Sequence, residues 1–442
     1  MKWPPDFLKR KQAYFGDEYD AFLEGLSQPA PVSIRMNEKK KINPLKDSSP
    51  IPWSRFGFYL KERPSFTLDP LFHAGCYYVQ EAGSQFLEQL FLHAINENAE
   101  PIVLDLCAAP GGKSTHLLSL MNGSGLLVSN EVISSRNKVL QQNIAKWGYA
   151  NSIVTQNDSS DFSKAGELFD VIVVDAPCSG EGLFRRDPNA SNEWSETAVT
   201  TCAVRQHEIL ENIHLALKPG GYLIYSTCTF ETSENEEQIK KLVSEYDYEI
   251  CNPISNDHGI KKSETGYHFY PHTTKSEGFF ISMLKKPAGG HHIRIKDDKP
   301  KNSDKQSAMV LTDYFENPEE LVSVVKDDRL YAFPKQHYSL FAYMMKKLFI
   351  RQTGIFVGNQ KEKNFIPSEE LALAIDLKKD ITSVEVDHET ALNYLRCENI
   401  TLPGVATGWT LINYQTFPLG WVKVLDRRVN NYFPKEWRIL SK

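Results

Sequence analysis

The chain has 442 residues, of which 41% are hydrophobic and 24% charged, and its formal net charge is −6. This length predicts more than one domain, and the composition is that of a globular protein rather than a disordered one. Because no apolar run reaches the roughly 18 residues of a membrane span and the N-terminus lacks a signal peptide's apolar core, we expect a cytoplasmic protein outside the membrane, with no obligate protein partner indicated.

The first 95 residues are predicted to form an N-terminal extension. Apolar residues at helical spacing predict one or two helices over residues 6–28. A strand-like run, Val32-Ser-Ile-Arg-Met-Asn37, follows them.

Residues 96–286 alternate between strand and helix patterns, which predicts a mostly parallel, doubly wound α/β sheet. The candidate strands are Ile102–Leu106, Leu126–Asn130, Ser152–Thr155, Val171–Asp175, Tyr222–Ser226 and Gly278–Leu284. Helices are predicted between them, for instance over Ser134–Trp147 and Ala198–Leu217. The polar residues 287–309 are predicted to form a linker. Residues 310–442 are expected to form a separate, aromatic-rich region.

A glycine-rich turn, Asp105-Leu-Cys-Ala-Ala-Pro-Gly-Gly-Lys-Ser-Thr115, lies between the first strand and its helix. Glycines let a ligand approach the backbone closely, and the following helix offers free N–H groups. Its last residues match the end of a phosphate-binding P-loop, so a P-loop nucleotide-binding factor is one interpretation. However, Cys107 stands where that motif has its first glycine, and Pro110 removes an N–H group.

The competing interpretation of this turn is a site for S-adenosylmethionine. Such a site needs a carboxylate after the second strand to hold the ribose hydroxyls, and Glu131 stands there. Asp158, after the third strand, can accept a hydrogen bond from the adenine amino group. With Asp105, these acids follow three successive strands, which favours a nucleoside site over solvated loop residues.

Two of the seven cysteines follow buried strands, Cys178 in Asp175-Ala-Pro-Cys-Ser-Gly-Glu-Gly182 and Cys228 in Tyr225-Ser-Thr-Cys-Thr-Phe230. No cysteines form a C-x-x-C pair, so we predict neither a disulfide framework nor a metal site. The carboxyl ends of strands in an open α/β sheet face the ligand crevice. Both thiols are therefore expected at one site.

Two thiols at one crevice suggest covalent chemistry on a pyrimidine. A thiolate that adds to carbon 6 makes carbon 5 nucleophilic, so that carbon 5 can take a methyl group. Asp175 is a candidate to hydrogen-bond nitrogen 3 of a cytosine, and Lys113 is a candidate source of positive potential for the thiolate. The residues alone leave open which cysteine attacks.

Together these motifs resemble the Sun-type RNA cytosine-5 methyltransferase family. Ser33-Ile-Arg-Met-Asn37 and Tyr78-Val-Gln-Glu-Ala-Gly-Ser84 match it as well. The C-terminal signature resembles the RsmF-like branch, whose members methylate cytosines of bacterial 16S ribosomal RNA. That signature comprises Ala391-Leu-Asn-Tyr-Leu-Arg-Cys397, Gly408-Trp409, Pro418-Leu-Gly-Trp421 and Asn431-Tyr-Phe-Pro-Lys-Glu-Trp-Arg438. Cys397 departs from it, because the branch commonly has glycine at this position.

The resemblance implies a Rossmann-like class I S-adenosylmethionine-dependent methyltransferase. In this interpretation residues 1–95 form an RNA-binding extension, residues 96–286 the catalytic domain, and residues 310–442 an RNA-binding region with a PUA-like, β-rich domain. The implied partner is ribosomal RNA or the small ribosomal subunit, and a transfer-RNA target stays open as an alternative.

The resemblance also implies roles for individual residues. Cys228 is the nucleophile, Cys178 assists release of the methylated product, and Asp175 belongs to both the catalytic and the cofactor-binding residues. The implied S-adenosylmethionine-binding residues are Cys107, Ala108, Ala109, Pro110, Gly111, Gly112, Lys113, Glu131, Asp158 and Asp175.

An acidic protein can still bind RNA through a local basic face. Near the C-terminus, cations interleave with aromatic residues, a combination that suits single-stranded RNA, although the aromatics could equally form a core. These residues are Trp421, Arg427, Arg428, Tyr432, Lys435, Trp437 and Arg438. Arg185 and Arg186 are a second candidate grip on the RNA backbone, with surface salt bridges as the alternative.

Overall fold

The computed structural model describes residues 3–96, 98–255, 258–289, 293, 295–298, 305–361 and 364–440. Within these residues the strands form one ten-stranded sheet and three four-stranded sheets. Short 3₁₀ segments lie at Gly16–Glu18, Phe66–Leu68, Gly83–Phe86, Glu181–Leu183, Pro318–Glu320, Lys335–His337 and Lys435–Trp437.

The N-terminal region folds into two helices followed by a small antiparallel sheet of order β2-β3-β1-β4. Its elements are α1 Pro5–Phe15, α2 Tyr19–Ser27, β1 Val32–Met36, β2 Ser49–Pro50, β3 Gly57–Leu60, α3 Pro70–His73, β4 Tyr77–Val79 and α4 Leu87–Ala94. Proline at the first position of α1 and Asp6 in its first turn suit a helix start. The helices predicted over residues 6–28 are confirmed, and they bury Phe7, Phe22 and Leu26.

The ten-stranded central sheet contains all six predicted strands. Its parallel strands are β5 Ile102–Asp105, β6 Leu126–Asn130, β7 Ser152–Thr155, β8 Phe169–Asp175 and β9 Leu217–Thr227. Its antiparallel strands on one side are β10 Glu249–Cys251, β11 Lys261–Lys262, β12 Tyr267–Phe269 and β13 Phe279–Lys285. The helices that accompany them are α5 Gly112–Met121, α6 Ser134–Trp147, α7 Ser159–Ala165, α8 Pro188–Glu193, α9 Glu196–His214 and α10 Glu236–Tyr246.

The strand order of the central sheet places β5 and β8 side by side in its middle, with β6 and β7 on one flank and β9 and β13 on the other. Side chains alternate between the two faces, so Val103 joins one buried cluster and Leu104 the other. Both faces are therefore covered, as expected for a doubly wound sheet.

The C-terminal region is built from two four-stranded sheets and four helices. Its strands are β14 Leu321–Lys326, β15 Arg329–Pro334, β16 Ile350–Thr353, β17 Ile355–Lys361, β18 Asn364–Pro367, β19 Ser383–Glu385, β20 Gly408–Tyr414, β21 Phe417–Leu425 and β22 Arg428–Asn431. Its helices are α11 Lys305–Tyr314, α12 Tyr338–Met344, α13 Glu369–Ala372 and α14 His388–Leu395. None of the described helices is long and apolar enough to cross a membrane.

Two features of this region differ from the sequence prediction. Residues 305–309 of the predicted linker belong to α11, which buries Val310 and Leu311, while linker residues 290–292, 294 and 299–304 lie outside the described residues. The region is also not separate, because β16 pairs antiparallel with β7 and extends the central sheet. This pairing covers the edge of β7, which would otherwise expose unpaired backbone groups.

Candidate active site

Neighbouring parallel strands bring Cys178 and Cys228 together. Asp175 at the end of β8 pairs with Ser226 near the end of β9, so the segments that follow leave the sheet side by side. The two Sγ atoms lie 2.9 Å apart, and the backbone N–H of Cys228 donates to Cys178 Sγ at 3.3 Å. Both thiols are half-buried.

Hydrogen bonds hold these two segments against each other. Glu234 accepts from the backbone N–H of Ser179 at 3.0 Å, and the N–H of Gly182 donates to the carbonyl of Cys228 at 2.9 Å. Gly182 also packs against Gly278, where a Cβ on residue 182 would lie 2.4 Å from the Gly278 carbonyl oxygen. The position of Cys228 thus depends on a glycine that sequence analysis left unassigned.

The surroundings of Cys178 favour its protonated form. The hydrogen bond with Cys228 and burial raise the pKa of Cys178 well above its ordinary value. Because two thiolates at this distance would repel each other, a neutral Cys178 places no second negative charge beside the Cys228 sulfur.

Asp175 lies between the thiols and the glycine-rich turn. It accepts from Ser226 Oγ at 2.7 Å and from Lys113 Nζ at 2.8 Å, and 37% of its side chain is exposed. Lys113 thus pairs with this carboxylate; the structure records no contact between Lys113 and either thiol.

The glycine-rich turn is shaped around Asp105. Gly111 adopts a φ of 113°, which favours glycine, and caps α5. Ser114 Oγ donates to Asp105 Oδ2 at 2.6 Å, whereas the hydroxyl of a P-loop serine binds a metal ion. Burial raises the pKa of Asp105 to about 7, and its Oδ1 has no hydrogen-bond partner within the described residues.

A cavity of about 380 Å³ opens at the carboxyl ends of these strands, within the range of small-ligand sites. The predicted site residues that line it are Cys107, Ala109, Glu131, Asp158, Asp175, Cys178 and Cys228. The other predicted loop residues do not line it: Ala108, Pro110, Gly111, Gly112 and Lys113. They form the turn that supports its wall.

Sequence analysis missed several lining residues. Val132 and Ile133 follow Glu131, and 43% and 46% of these apolar residues are exposed. The sequence pattern that could have predicted them is a pair of apolar residues directly after an acidic residue at the end of a strand. Other missed lining residues, among them Asn130, Arg136, Asn157, Arg205 and Asn212, carry no comparable pattern in the sequence.

The lining of the cavity combines carboxylates with an apolar surface. Glu131, only 3% exposed, stands at the end of β6 and accepts from the Ile133 N–H at 2.9 Å. Arg136 approaches its other oxygen at 3.4 Å. Asp158 is exposed and caps α7 through the Ser160 N–H. The lining thus combines a buried carboxylate at Glu131 with an apolar surface at Val132 and Ile133, groups that would suit a nucleoside.

Both arginines of one candidate RNA grip have partners within the protein. Arg185 points inward, donating to the carbonyl oxygens of Gly25 and Ser276, because the turn after the Pro-Cys segment packs against α2. Arg186 lies 3.7 Å from Glu277. Within the C-terminal signature, Trp421 is buried in a core, whereas Tyr432 is 37% exposed.

The fold and this site define a Rossmann-like methyltransferase. A solved structure described as a methyltransferase homologue from Pyrococcus horikoshii is similar, with 27% identity and a TM-score of 0.52 over 64% of this chain and 99% of that one. Residues 91–285 match the family model of the 16S rRNA methyltransferase RsmB/F. Residues 3–82 match the N-terminal domain of RsmF, and residues 381–439 match its PUA domain.

Curated relatives agree with these matches over most of the chain. Ribosomal RNA small subunit methyltransferase F of Shewanella loihica is 33% identical, over 94% of this chain and 91% of that protein. The same protein of Shewanella frigidimarina is 32% identical, over 88% and 86% respectively. The chain therefore belongs to the RsmB/F family of 16S rRNA methyltransferases, in its RsmF branch.

Proposed function

We propose that the protein transfers a methyl group from S-adenosylmethionine to carbon 5 of cytosine in 16S ribosomal RNA, in the cytoplasm. The observation that carries this proposal is the pair of thiols 2.9 Å apart on the wall of a nucleoside-sized cavity. Family membership supports ribosomal RNA, or the small subunit that contains it, as the partner. The matches to RsmF N-terminal and PUA domains support RNA binding at both ends of the chain.

S-adenosylmethionine, when bound, supplies an electrophilic methyl group on a sulfonium. Glu131 would hold the ribose hydroxyls, Asp158 the adenine amino group, and Val132 with Ile133 an apolar face of the base. The turn from Cys107 to Lys113 would shape the pocket, chiefly through Cys107 and Ala109. Asp175 would stand at the junction of cofactor and target base, where it also pairs with Lys113.

The first step is attack on the target base. The Cys228 thiolate forms a bond from Sγ to carbon 6 of cytosine, and the ring's electron pair shifts so that carbon 5 becomes nucleophilic. Carbon 5 then takes the methyl group that the sulfonium would supply, and the broken carbon–sulfur bond would leave a neutral thioether. Asp175, through a proton or hydrogen bond at nitrogen 3, favours the electron shift, while Cys178 stays neutral beside the attacking sulfur.

The second step releases the product. A base removes the proton from carbon 5, the bond between Cys228 Sγ and carbon 6 breaks, and the aromatic ring is restored. A water that Cys178 orients, or Cys178 itself after its thiol has lost its proton, is the proposed base for this step. Its position against Cys228 Sγ and its hydrogen bond from the Cys228 N–H support that role.

Methyl transfer and cofactor binding test the proposal together. We expect calorimetry to show binding of S-adenosylmethionine and none of ATP, and labelled methyl groups to enter 16S ribosomal RNA as 5-methylcytosine. Naked ribosomal RNA, assembled small subunits and transfer RNA should be compared side by side. Methylation of transfer RNA alone would contradict the ribosomal substrate, and tight binding of ATP alone would contradict the methyltransferase.

A further inference from the structure

A second and larger cavity lies outside the catalytic site. This groove of about 850 Å³ runs between β14 and β15, α12 and the strand β16. It belongs neither to the cofactor cavity nor to the segment that matches the PUA domain, residues 381–439. The reaction described above uses none of its residues.

The groove carries positive charge on an otherwise acidic protein. Lys326, Arg329 and Arg351 line it, and Asp327 is the single acid among its described lining residues. Within the described part of the chain, none of these three cations forms an ion pair, that is, none has a carboxylate oxygen within 4.0 Å. The whole chain has a net charge of −6, so the excess of positive side chains in the groove is local. This excess favours a negatively charged polymer as the partner.

Aromatic side chains accompany the cations, one of them exposed and one half-buried. Phe349 lines the groove with 56% of its surface exposed, and the Arg351 guanidinium lies 5.4 Å from its ring centre. Tyr331 lines the same groove and packs against Phe356 at 5.3 Å. Bases of single-stranded RNA stack on such rings while nearby cations hold the phosphates.

The groove also has unused hydrogen-bonding capacity. Ser323, Gln352 and Thr353 line it, and each has a buried side-chain oxygen without a hydrogen-bond partner among the described residues. Buried polar atoms are nearly always paired. If these side chains rotate toward the groove, a base edge there would supply the missing partners.

The groove and the catalytic cavity share a wall. Phe349 donates its backbone N–H to Asn157 Oδ1 at 3.0 Å, and Asn157 lines the catalytic cavity. The carbonyl of Phe349 accepts from the Gln156 N–H at 3.0 Å. The pairing of β16 with β7 therefore fixes the groove relative to the cysteines.

We infer that this groove binds a single-stranded segment of the RNA substrate next to the target cytosine, with phosphates on Lys326, Arg329 and Arg351 and a base on Phe349. The inference rests on the proposed function, because it takes RNA as the substrate. It adds an RNA site to those proposed for the N-terminal and PUA domains.

Fluorescence anisotropy with a labelled single-stranded 16S ribosomal RNA fragment tests the site. We expect Arg351→Glu to weaken binding about tenfold and to lower the slope of log affinity against log salt by about 1. Phe349→Ala should weaken binding about tenfold through lost stacking, with the salt slope unchanged. Lys240→Glu, an equal charge reversal on the exposed face of α10 away from the groove, is the matched control and should bind nearly as the wild type does.

The outcomes separate this inference from the proposed function. If the wild-type protein binds RNA and both groove variants match it in affinity and salt slope, the groove inference is wrong while the proposed function stands. If the wild type binds S-adenosylmethionine but no RNA, both are wrong. Loss of binding to a small-subunit ribosomal protein, with RNA affinity unchanged, would assign the groove to protein and also overturn the inference.

Discussion

At the level of single residues, the position of each proton sets what the site can do. The hydrogen bond with Cys228 and burial raise the pKa of Cys178, and burial raises that of Asp105 to about 7. Both shifts come from surroundings that only the folded chain creates. The sequence therefore predicted two thiols at one strand edge, but it left their division of roles open until a family resemblance assigned it.

Asp105 makes stability depend on pH. Its pKa rises from 3.8 to about 7 on folding, so the folded state holds this proton more tightly than the unfolded state. The stability it contributes is fully present below about pH 4 and is lost as the pH rises through about 7. Asp105→Asn removes this dependence, and urea unfolding should show the variant gaining stability relative to the wild type between pH 5 and pH 8. If the variant and the wild type differ in free energy of unfolding by the same amount at pH 5 and at pH 8, Asp105 does not have a raised pKa in the folded state.

Cys397 occupies a backbone conformation that favours glycine. Its φ is 59°, and family members commonly have glycine at this position. Cys397→Gly should raise the free energy of unfolding by about 1 kcal/mol, because a left-handed conformation is costly for a residue with a side chain. The thiol's contact with the Phe433 carbonyl, at 3.5 Å, offsets little of that gain. If the midpoint of thermal unfolding of Cys397→Gly is equal to or lower than that of the wild type, the backbone at Cys397 is not strained.

At the level of elements, the active site is made where two adjacent strands end. Apolar runs made β8 and β9 predictable, because fully buried parallel strands read as continuous hydrophobic segments. The contacts that hold the two ends together join residues distant in sequence, such as Glu234 with Ser179 and Gly182 with Cys228. Such pairs produce no periodic pattern in the sequence, so the hydrogen bonds that hold the cysteine segments in place could not be predicted.

Gly182 tests that support. A methyl group at residue 182 would meet the Gly278 carbonyl oxygen at 2.4 Å and the Cys228 carbonyl oxygen at 3.1 Å, so the Cys228 segment must shift. Gly182→Ala should lower kcat about a hundredfold, because small displacements of reacting groups cost that much. Binding of S-adenosylmethionine by calorimetry should stay unchanged, since Gly182 does not line the cavity. Full activity in the variant would contradict the positioning role.

At the level of the whole molecule, the two ends of the chain share a core. Ile34 and Met36 of β1 belong to the same buried cluster as Ile412 and Val422 of the last sheet, while β16 extends the catalytic sheet. The linker-like composition of residues 287–309 predicted a separate C-terminal region. Packing between residues distant in sequence instead joins that region to the rest of the protein. In the aromatic-rich signature, Trp421 is buried and Tyr432 is exposed. Amino-acid composition alone does not tell which of these aromatic residues is buried.

This shared core predicts that the C-terminal domain cannot be removed without harm. A chain that ends at residue 380 lacks the residues of α14 and the last sheet from the buried cluster that contains Ile34, Met36 and Tyr77. We expect lower soluble yield and a lower midpoint of thermal unfolding, since exposed apolar patches promote aggregation. Tyr432→Ala, which changes an exposed ring in the same domain, is the control and should fold normally. A truncated chain as stable as the full one would contradict the shared core.

The roles of the two cysteines are the central claim, and trapping of the covalent intermediate tests them most directly. The protein, labelled ribosomal RNA and S-adenosylmethionine are incubated together and run on a denaturing gel. Cys178→Ala should accumulate a protein–RNA adduct, because attack proceeds while release is slowed. Cys228→Ala and the double variant should form none. An adduct in Cys228→Ala, or none in Cys178→Ala, would contradict the assignment of attack to Cys228 and release to Cys178.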